Sequence, residues 1–90
     1  MSYQMKVERS AFKQLRKLPR TDRTRLAKAI LELEENPFPR GKKWKSLEDS
    51  GGLMRLRVGD YRVLYEVSGD EVYVLAVIHR RDLTRWLRKL

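Results

Sequence analysis

The segment 54–67 constrains the fold of this chain more than any other part of it. Apolar and polar residues alternate on both sides of a Gly59-Asp60 pair, a pattern typical of a β-hairpin with a two-residue turn. If Gly59 and Asp60 form the turn, Val58 pairs with Tyr61, and the rest of the register follows. Each strand then has one mainly apolar face and one mainly polar face.

The arginines of this hairpin fall on a single face of the sheet. In the predicted register Arg57 pairs with Arg62, and Arg55 pairs with Leu64. Like charges opposite each other on a sheet repel, so the arrangement favours an anionic partner. Phosphate is the first candidate, because the planar arginine fork binds it at two points and keeps its charge. The alternative is a solvated face with cross-strand salt bridges, for which Glu66 lies on the Arg62 side.

The composition describes one small basic domain. Ninety residues are enough for one domain with a single core, so we expect residues 1–90 to form one domain. There are 21 Lys and Arg against 12 Asp and Glu, a net charge of +9. The charge is +6 over residues 1–50 and +3 over 51–90, so it is not confined to a tail. Distributed positive charge is typical of proteins that bind nucleic acid or acidic proteins.

Several classes of site and location are disfavoured by what the sequence lacks. There is no cysteine, which excludes disulfides, thiolate metal sites and a thiol nucleophile and favours the cytoplasm. No apolar run approaches the roughly 20 residues that span a bilayer, and residues 1–6 do not resemble a signal peptide. We find no phosphate loop, dinucleotide fingerprint, metal-ligand cluster or Ser/His/Asp arrangement. We therefore expect no membrane partner, no metal and no cofactor.

Two amphipathic helices are predicted in the first half of the chain. Ser10 is expected to cap the first helix and Pro19 to end it. Thr21 or Asp22 is expected to cap the second helix, which Asn36-Pro37 stops. Phe12, Leu15 and Leu18 follow helical spacing in the first helix, and Leu26, Ile30 and Leu33 do so in the second. The residues assigned to the core are Leu15, Leu18, Leu26, Ile30 and Leu33.

Four strands are predicted, namely 3–7, the two strands of the hairpin, and 72–78. The last is nearly all apolar, which is typical of a central strand covered on both faces. Residues 38–52 are interpreted as a loop, and a short helix capped by Asp82 ends the chain. The predicted fold class is α+β, in the order β-α-α-β-β-β-α. A mostly antiparallel four-stranded sheet would carry the helical hairpin on one face and leave the arginines open on the other.

Residues 79–81 follow the last strand, and the preceding turn decides which of them joins the arginines. A two-residue loop at 68–70 would put His79 on the Arg62 side, with Leu75 and Val77. A three-residue loop would put Arg80 there instead, with Ala76 and Ile78, and this is the arrangement we expect. His79 is the only histidine, and it lacks the second histidine or paired carboxylate that general acid–base ribonucleases commonly use.

The predicted loop carries basic residues around an aromatic one. Arg40, Lys42, Lys43 and Lys45 flank Trp44, a mixture that suits a flexible RNA strand whose bases stack on rings. The alternative is an ordinary solvated loop. We expect the lysines to meet nucleic acid and Trp44 to fold back into the core.

The motifs taken together resemble a known toxin family. A strand with spaced basic residues, the motif at 59–65, and an apolar strand ending in His-Arg-Arg-Asp at 79–82 resemble the RelE toxins of bacterial and archaeal toxin–antitoxin pairs. The resemblance covers nearly the whole chain, including the segment 45–47, and is rather specific for the RelE/ParE superfamily. RelE proteins of known activity cut messenger RNA in the ribosomal A site. There a 2′-hydroxyl attacks the adjacent phosphate, and no metal is needed.

The resemblance implies roles for three arginines. Arg62 would grip the scissile phosphate, Arg80 would stabilise the leaving oxygen, and Arg55 would supply charge, because arginine is a poor base. Arg81 is adjacent to Arg80 and could take its place. The RNA-binding residues implied around them are Lys45, Arg57, His79, Arg81 and Trp86. Some relatives have a tyrosine in the C-terminal segment; this chain has none there, and Trp86 is the aromatic residue nearest to that position.

The resemblance also implies partners. These are a cognate RelB-like antitoxin, whose helix would lie across the basic surface, the 30S A site of the ribosome, and mRNA. The toxin–antitoxin complex would bind its own operator DNA. Two alternatives are a ParE-like inhibitor of DNA gyrase and a degenerate toxin that only binds its antitoxin. The full set of basic residues favours the nuclease, since ParE-like relatives generally lack it.

Overall fold

The computed structural model of the chain describes residues 2–38, 41–47 and 52–89. It confirms the α+β class, although the sheet has five strands rather than four. The sheet order is β1-β5-β4-β3-β2, and only β1 runs parallel to its neighbour, β5. The elements are β1 Gln4–Val7, α1 Arg9–Arg16, α2 Arg20–Glu35, β2 Trp44–Leu47, β3 Leu53–Val58, β4 Tyr61–Ser68, β5 Glu71–His79, a 3-10 turn Arg80–Asp82 and α3 Leu83–Arg88.

The additional strand, β2, lies in the segment predicted to be a loop. It pairs antiparallel with β3 from Trp44 opposite Leu56 to Leu47 opposite Leu53. Its two middle residues are exposed and its ends half-buried, so it has no period-2 pattern to detect. It forms because the free edge of β3 offers backbone groups that need partners.

The predicted helix caps are wrong at both helices of the hairpin. Ser10 lies inside α1, whose N-cap is Glu8. Pro19 is the N-cap of α2, and Thr21 and Asp22 lie in its first turn. Asp22 favours that turn there by its charge. The predicted stop is confirmed, because α2 ends at Glu35 with Asn36 as its C-cap.

Two apolar clusters form the core, one on each face of the sheet. The helix-side cluster unites α1 and α2 with Val63, Tyr65, Val72, Val74 and Val77. Phe12, which was not assigned to the core, lies outside this cluster and is 55% exposed. The preceding residue, Ala11, is the fully buried one, and consecutive helical residues point about 100° apart.

The second cluster lies on the opposite face, under α3. It consists of Leu53, Leu64, Ala76 and Ile78, covered by Leu83, Trp86 and Leu87 of the C-terminal helix. The face predicted to be open is therefore partly covered. Asp82 precedes α3 as predicted, but its carboxylate accepts a 2.9 Å bond from the Arg85 guanidinium rather than from a backbone N–H.

The turn between β4 and β5 differs from prediction, yet Arg80 reaches the expected side. Ser68 pairs with Glu71, so the loop has two residues rather than three. A β-bulge then changes the register, because Leu64 pairs with Ala76 while Tyr65 pairs with Val74. The unpaired residue between them shifts the following ones to the other face. As a result Arg62 pairs with Ile78.

Candidate functional site

Five cations lie together on the sheet face opposite the helical hairpin. The predicted hairpin register is confirmed, with Arg57 opposite Arg62 and Arg55 opposite Leu64. β2 adds Lys45, which pairs with Arg55. Because paired residues share a face, strand alternation places these side chains on one surface. We call this surface the arginine face; its cations are Lys45, Arg55, Arg57, Arg62 and Arg80.

Arg62 is held in place by the turn that precedes it. Gly59 has φ +60°, which a residue with a Cβ adopts only at a cost. The Arg62 Nη1 donates to the Gly59 carbonyl at 3.1 Å and to the Tyr61 carbonyl at 2.9 Å. Both bonds use one nitrogen, so the other donors of the fork remain for an anion.

The other arginines are close enough to Arg62 to disfavour its charge. Burial first, and then the charges of Arg55, Arg57 and Arg80, lower the pKa of Arg62 from its usual value. Asp60 acts in the opposite direction. Arginine remains protonated near neutral pH in any case, so this repulsion is a cost that a bound phosphate would relieve.

Asp60 is the carboxylate that the structure pairs with this face. Its Oδ1 lies 3.7 Å from the Arg80 Nε, and its carbonyl accepts a 2.7 Å bond from the Arg80 backbone N–H. The ion pair is weak, because both side chains are about two-thirds exposed. Across the part of the chain that the structure describes, Glu66 forms no ion pair. The salt-bridged alternative therefore gains no support from Glu66.

The remaining candidate residues occupy different places. His79 packs edge-to-face on Tyr61, with ring centroids 5.5 Å apart, and alternation puts it on the helix side. Its Nδ1 accepts the Arg81 backbone N–H at 3.3 Å. Arg81 itself is exposed in the 3-10 turn, and Trp86 is half-buried in α3. The structure thus places Arg80 on the arginine face and His79 on the opposite face of the sheet.

Trp44 folds into the helix-side cluster, as expected. Its Nε1 donates to the Tyr65 hydroxyl at 2.7 Å, and that hydroxyl donates to the Pro37 carbonyl at 2.7 Å. No role was predicted for Tyr65, although a buried tyrosine usually has a hydrogen-bond partner for its hydroxyl. Lys42 and Lys43 are exposed, and Arg40 lies outside the described residues.

No group of three or more acidic or histidine side chains in the described ranges is arranged to hold a metal ion. No described helix is long and apolar enough to cross a membrane.

Comparison with known proteins identifies the family. Residues 5–84 match the family described as "ParE toxin of type II toxin-antitoxin system, parDE". The protein named "Putative toxin RelE1" of Methanocaldococcus jannaschii is 30% identical over 84 residues, 91% of this chain and 93% of that protein. This chain is a RelE family toxin of the RelE/ParE superfamily.

Other relatives of the RelE family toxin agree with this assignment. The mRNA interferase toxin RelE of Escherichia coli K12 is 31% identical over 77 residues, 86% of this chain and 80% of that one. The crystal structure of the RelE–RelB complex from Pyrococcus horikoshii OT3 matches with a TM-score of 0.77 and 34% identity, over 89% of this chain and 97% of that one. The resemblance inferred from residues 59–65 and 79–82 is confirmed, and the toxin belongs to a type II toxin–antitoxin system.

Proposed function

We propose that this toxin is a ribosome-dependent endoribonuclease that cuts messenger RNA in the ribosomal A site. The observation that carries the proposal is the arginine face, where four guanidinium groups crowd together and Asp60 is the paired carboxylate. Such a surface is suited to an RNA phosphate that gains negative charge during cleavage. The E. coli relative's name, mRNA interferase, supports the same activity.

The reaction assigned to the face is an internal phosphoryl transfer. The 2′-oxygen of one nucleotide bonds to the adjacent phosphorus, and the bond to the 5′-oxygen of the next nucleotide breaks. Arg62 grips the scissile phosphate, Arg80 stabilises the leaving oxygen, and Arg55 adds charge. None of the three can accept the 2′-hydroxyl proton, so in this scheme the toxin contributes charge stabilisation. Orientation of the nucleotide, and the groups that move the proton, come from the ribosome and the RNA.

The RNA-binding residues surround these three. Lys45 on the edge strand β2 and Arg57 on β3 extend the arginine face, and Arg81 lies next to Arg80. Trp86 has an aromatic ring on which a base could stack. His79 contributes indirectly in this scheme, because its Nδ1 orders the turn that carries Arg80 and Arg81.

The antitoxin is proposed to be RelB-like. The P. horikoshii toxin to which this chain is similar was solved as a RelE–RelB complex. An acidic or amphipathic segment would be drawn to a chain of net charge +9 and would cover the arginine face. The resulting complex would bind operator DNA through the antitoxin.

The test is a cleavage assay on programmed ribosomes. The purified toxin is added to ribosomes carrying a defined messenger, and the ends are mapped by primer extension, with DNA gyrase supercoiling measured in parallel. We expect new messenger ends at the A site and unchanged supercoiling. Inhibited supercoiling without cleavage would replace the proposal with the gyrase alternative. Absence of both effects, with antitoxin binding retained, would indicate a degenerate toxin.

A further inference from the structure

Tyr65 is a buried polar side chain that the proposed chemistry leaves without a role. It is fully buried on the helix side of β4, opposite the arginine face. Its hydroxyl donates to the Pro37 carbonyl and accepts from the Trp44 Nε1, at 2.7 Å in both cases. A buried hydroxyl needs such partners, and here both belong to one stretch of chain.

The two partners stand at the two ends of the segment that joins α2 to β2. Pro37 comes two residues after the end of α2, and Trp44 is the first residue of β2. A single oxygen therefore sets where this basic segment leaves the helix and where it enters the sheet. Burial raises the pKa of Tyr65 to about 12, so the hydroxyl remains a donor near neutral pH.

The position of β2 determines where two lysines meet the arginine face. Lys45 pairs with Arg55, and the Lys43 carbonyl accepts the Arg57 backbone N–H at 2.7 Å. Among the described strands, β2 is a four-residue edge strand that pairs with β3 alone. Within the described ranges, the bond from Trp44 to Tyr65 is the one side-chain hydrogen bond that β2 makes.

We propose that Tyr65 is a positioning residue, which holds Pro37 and Trp44 in place so that Lys45 lies on the arginine face, with Lys43 beside it, and both lysines bind the same RNA strand. The RNA-binding role of the two lysines depends on the proposed function. The positioning of Pro37 and Trp44 by Tyr65 depends only on the two hydrogen bonds. Tyr65 touches no substrate and acts through the two lysines. Its effect should therefore appear in substrate capture rather than in the chemical step.

The first test is Tyr65→Phe, which removes one oxygen and keeps the ring in the core. We expect the ribosome concentration at half-maximal cleavage to rise about three- to tenfold, with kcat unchanged. Tyr73→Phe is the matched control, since it removes a hydroxyl from β5 without touching segment 37–44. A kcat that falls with the folded fraction, at unchanged half-saturation, would make Tyr65 a packing residue and overturn the proposal.

The second test measures coupling between Tyr65 and the lysines. Lys43 and Lys45 are replaced together by Gln, and Tyr65→Phe is then added. If Tyr65 acts through these lysines, its replacement should change half-saturation less than twofold in the variant that lacks them. A full three- to tenfold effect in that background would contradict the proposed route.

The third measurement separates this inference from the proposed function. Hydrogen exchange of the amides at 44–47 should be at least tenfold faster in Tyr65→Phe, while the β4–β5 ladder stays protected. Binding to 2′-O-methyl RNA, which cannot be cleaved, should weaken in parallel. Both results in a toxin that cuts no messenger would refute the nuclease and keep the positioning role. Unchanged exchange at 44–47 would refute the positioning role whatever the cleavage result.

Discussion

Arg62 is fixed by local hydrogen bonds but lies in an environment that disfavours its positive charge. Two backbone carbonyls fix its Nη1, while burial and three neighbouring arginines lower its pKa. The anchor sets the geometry of the guanidinium, and the repulsion means that the toxin loses stability to keep it there. A residue with this balance is expected to matter more for phosphate binding than for folding.

Replacing Arg62 should therefore separate activity from stability. We expect Arg62→Ala to slow cleavage by about 100-fold or more, by analogy with the loss of one charge-stabilising donor. The unfolding free energy should change by less than about 1 kcal/mol, because lost repulsion offsets the lost hydrogen bonds. Primer extension and urea unfolding provide the two measurements. Arg62→Lys keeps the charge but not the planar fork, so its cleavage rate should lie between those of the wild-type toxin and Arg62→Ala. An unfolded Arg62→Ala protein would show that the residue is structural.

Tyr65 makes a distinct prediction in alkaline solution. A tyrosine ordinarily ionises near pH 10, but burial raises the pKa of Tyr65 to about 12 in the folded toxin. The unfolded chain therefore loses this proton first, and stability falls between pH 10 and 12. Relative to Tyr65→Phe, wild-type toxin should lose about 1 kcal/mol per pH unit in that window and nothing below it. Urea unfolding of both proteins from pH 9 to 11.5 measures this, and parallel curves would contradict the assigned burial.

At the scale of elements, a bulge and a turn together build the arginine face. The bulge opposite Leu64 and Tyr65 turns both Leu75 and Ala76 towards the second cluster. It thereby brings the end of β5 round so that Arg80 approaches Arg62. The turn at Gly59 holds Arg62 from the other side. The site depends on two local departures from a regular ladder, and β2 adds its lysine at the free edge of β3.

The turn can be tested through its glycine. Gly59→Ala should lower the unfolding free energy by about 1 to 2 kcal/mol, because φ is +60° there. An added Cβ would lie 3.6 Å from the Arg25 side chain, an ordinary contact, so the cost is conformational. Gly59→Asn should cost less, since asparagine tolerates this conformation.

Gly69→Ala is the control for this turn, with φ +59° and no neighbour within 4 Å. It should destabilise the toxin as much as Gly59→Ala does but leave cleavage by the folded protein unchanged. Cleavage should fall only in Gly59→Ala, because the Gly59 carbonyl accepts a hydrogen bond from Arg62. Equal losses of cleavage in Gly59→Ala and Gly69→Ala would show that the Gly59 carbonyl does not position Arg62.

At the scale of the whole molecule, the two faces of the sheet have separate tasks. The helical hairpin buries one face in the larger cluster. α3 covers only part of the other, which leaves room for the cations. In the proposed function, the net charge of +9 would attract RNA from a distance, and the arginine face would determine where the phosphates bind.

Salt dependence should report how many cations meet the RNA. If about four of them neutralise phosphates of a single strand, the logarithm of the binding constant should fall with the logarithm of salt concentration with a slope of about −3. Filter binding to 2′-O-methyl RNA between 50 and 200 mM salt, chosen to bracket physiological conditions, gives the slope. Arg62→Ala and Arg57→Gln should each reduce it by about 0.7, and Lys6→Gln, far from the face on β1 and paired with Glu71, should not.

The sequence alone determined the features that depend on neighbouring residues. Period-2 alternation around Gly59 predicted the hairpin, its register and the shared face of Arg55, Arg57 and Arg62. Helical spacing predicted both helices, and the apolar run predicted a central strand. These patterns can be detected in the sequence because adjacent side chains in a strand or helix point in fixed relative directions.

Only the tertiary structure decided the features whose partners lie far apart in the chain. β2 exists because β3 has a free edge, and Arg80 reaches the arginine face because of a bulge rather than a longer turn. The bonds from Tyr65 to Pro37 and Trp44 span 28 and 21 residues. Hydrogen-bond partners at such separations leave no periodic trace in the sequence, because packing of distant elements and not local conformation brings them together.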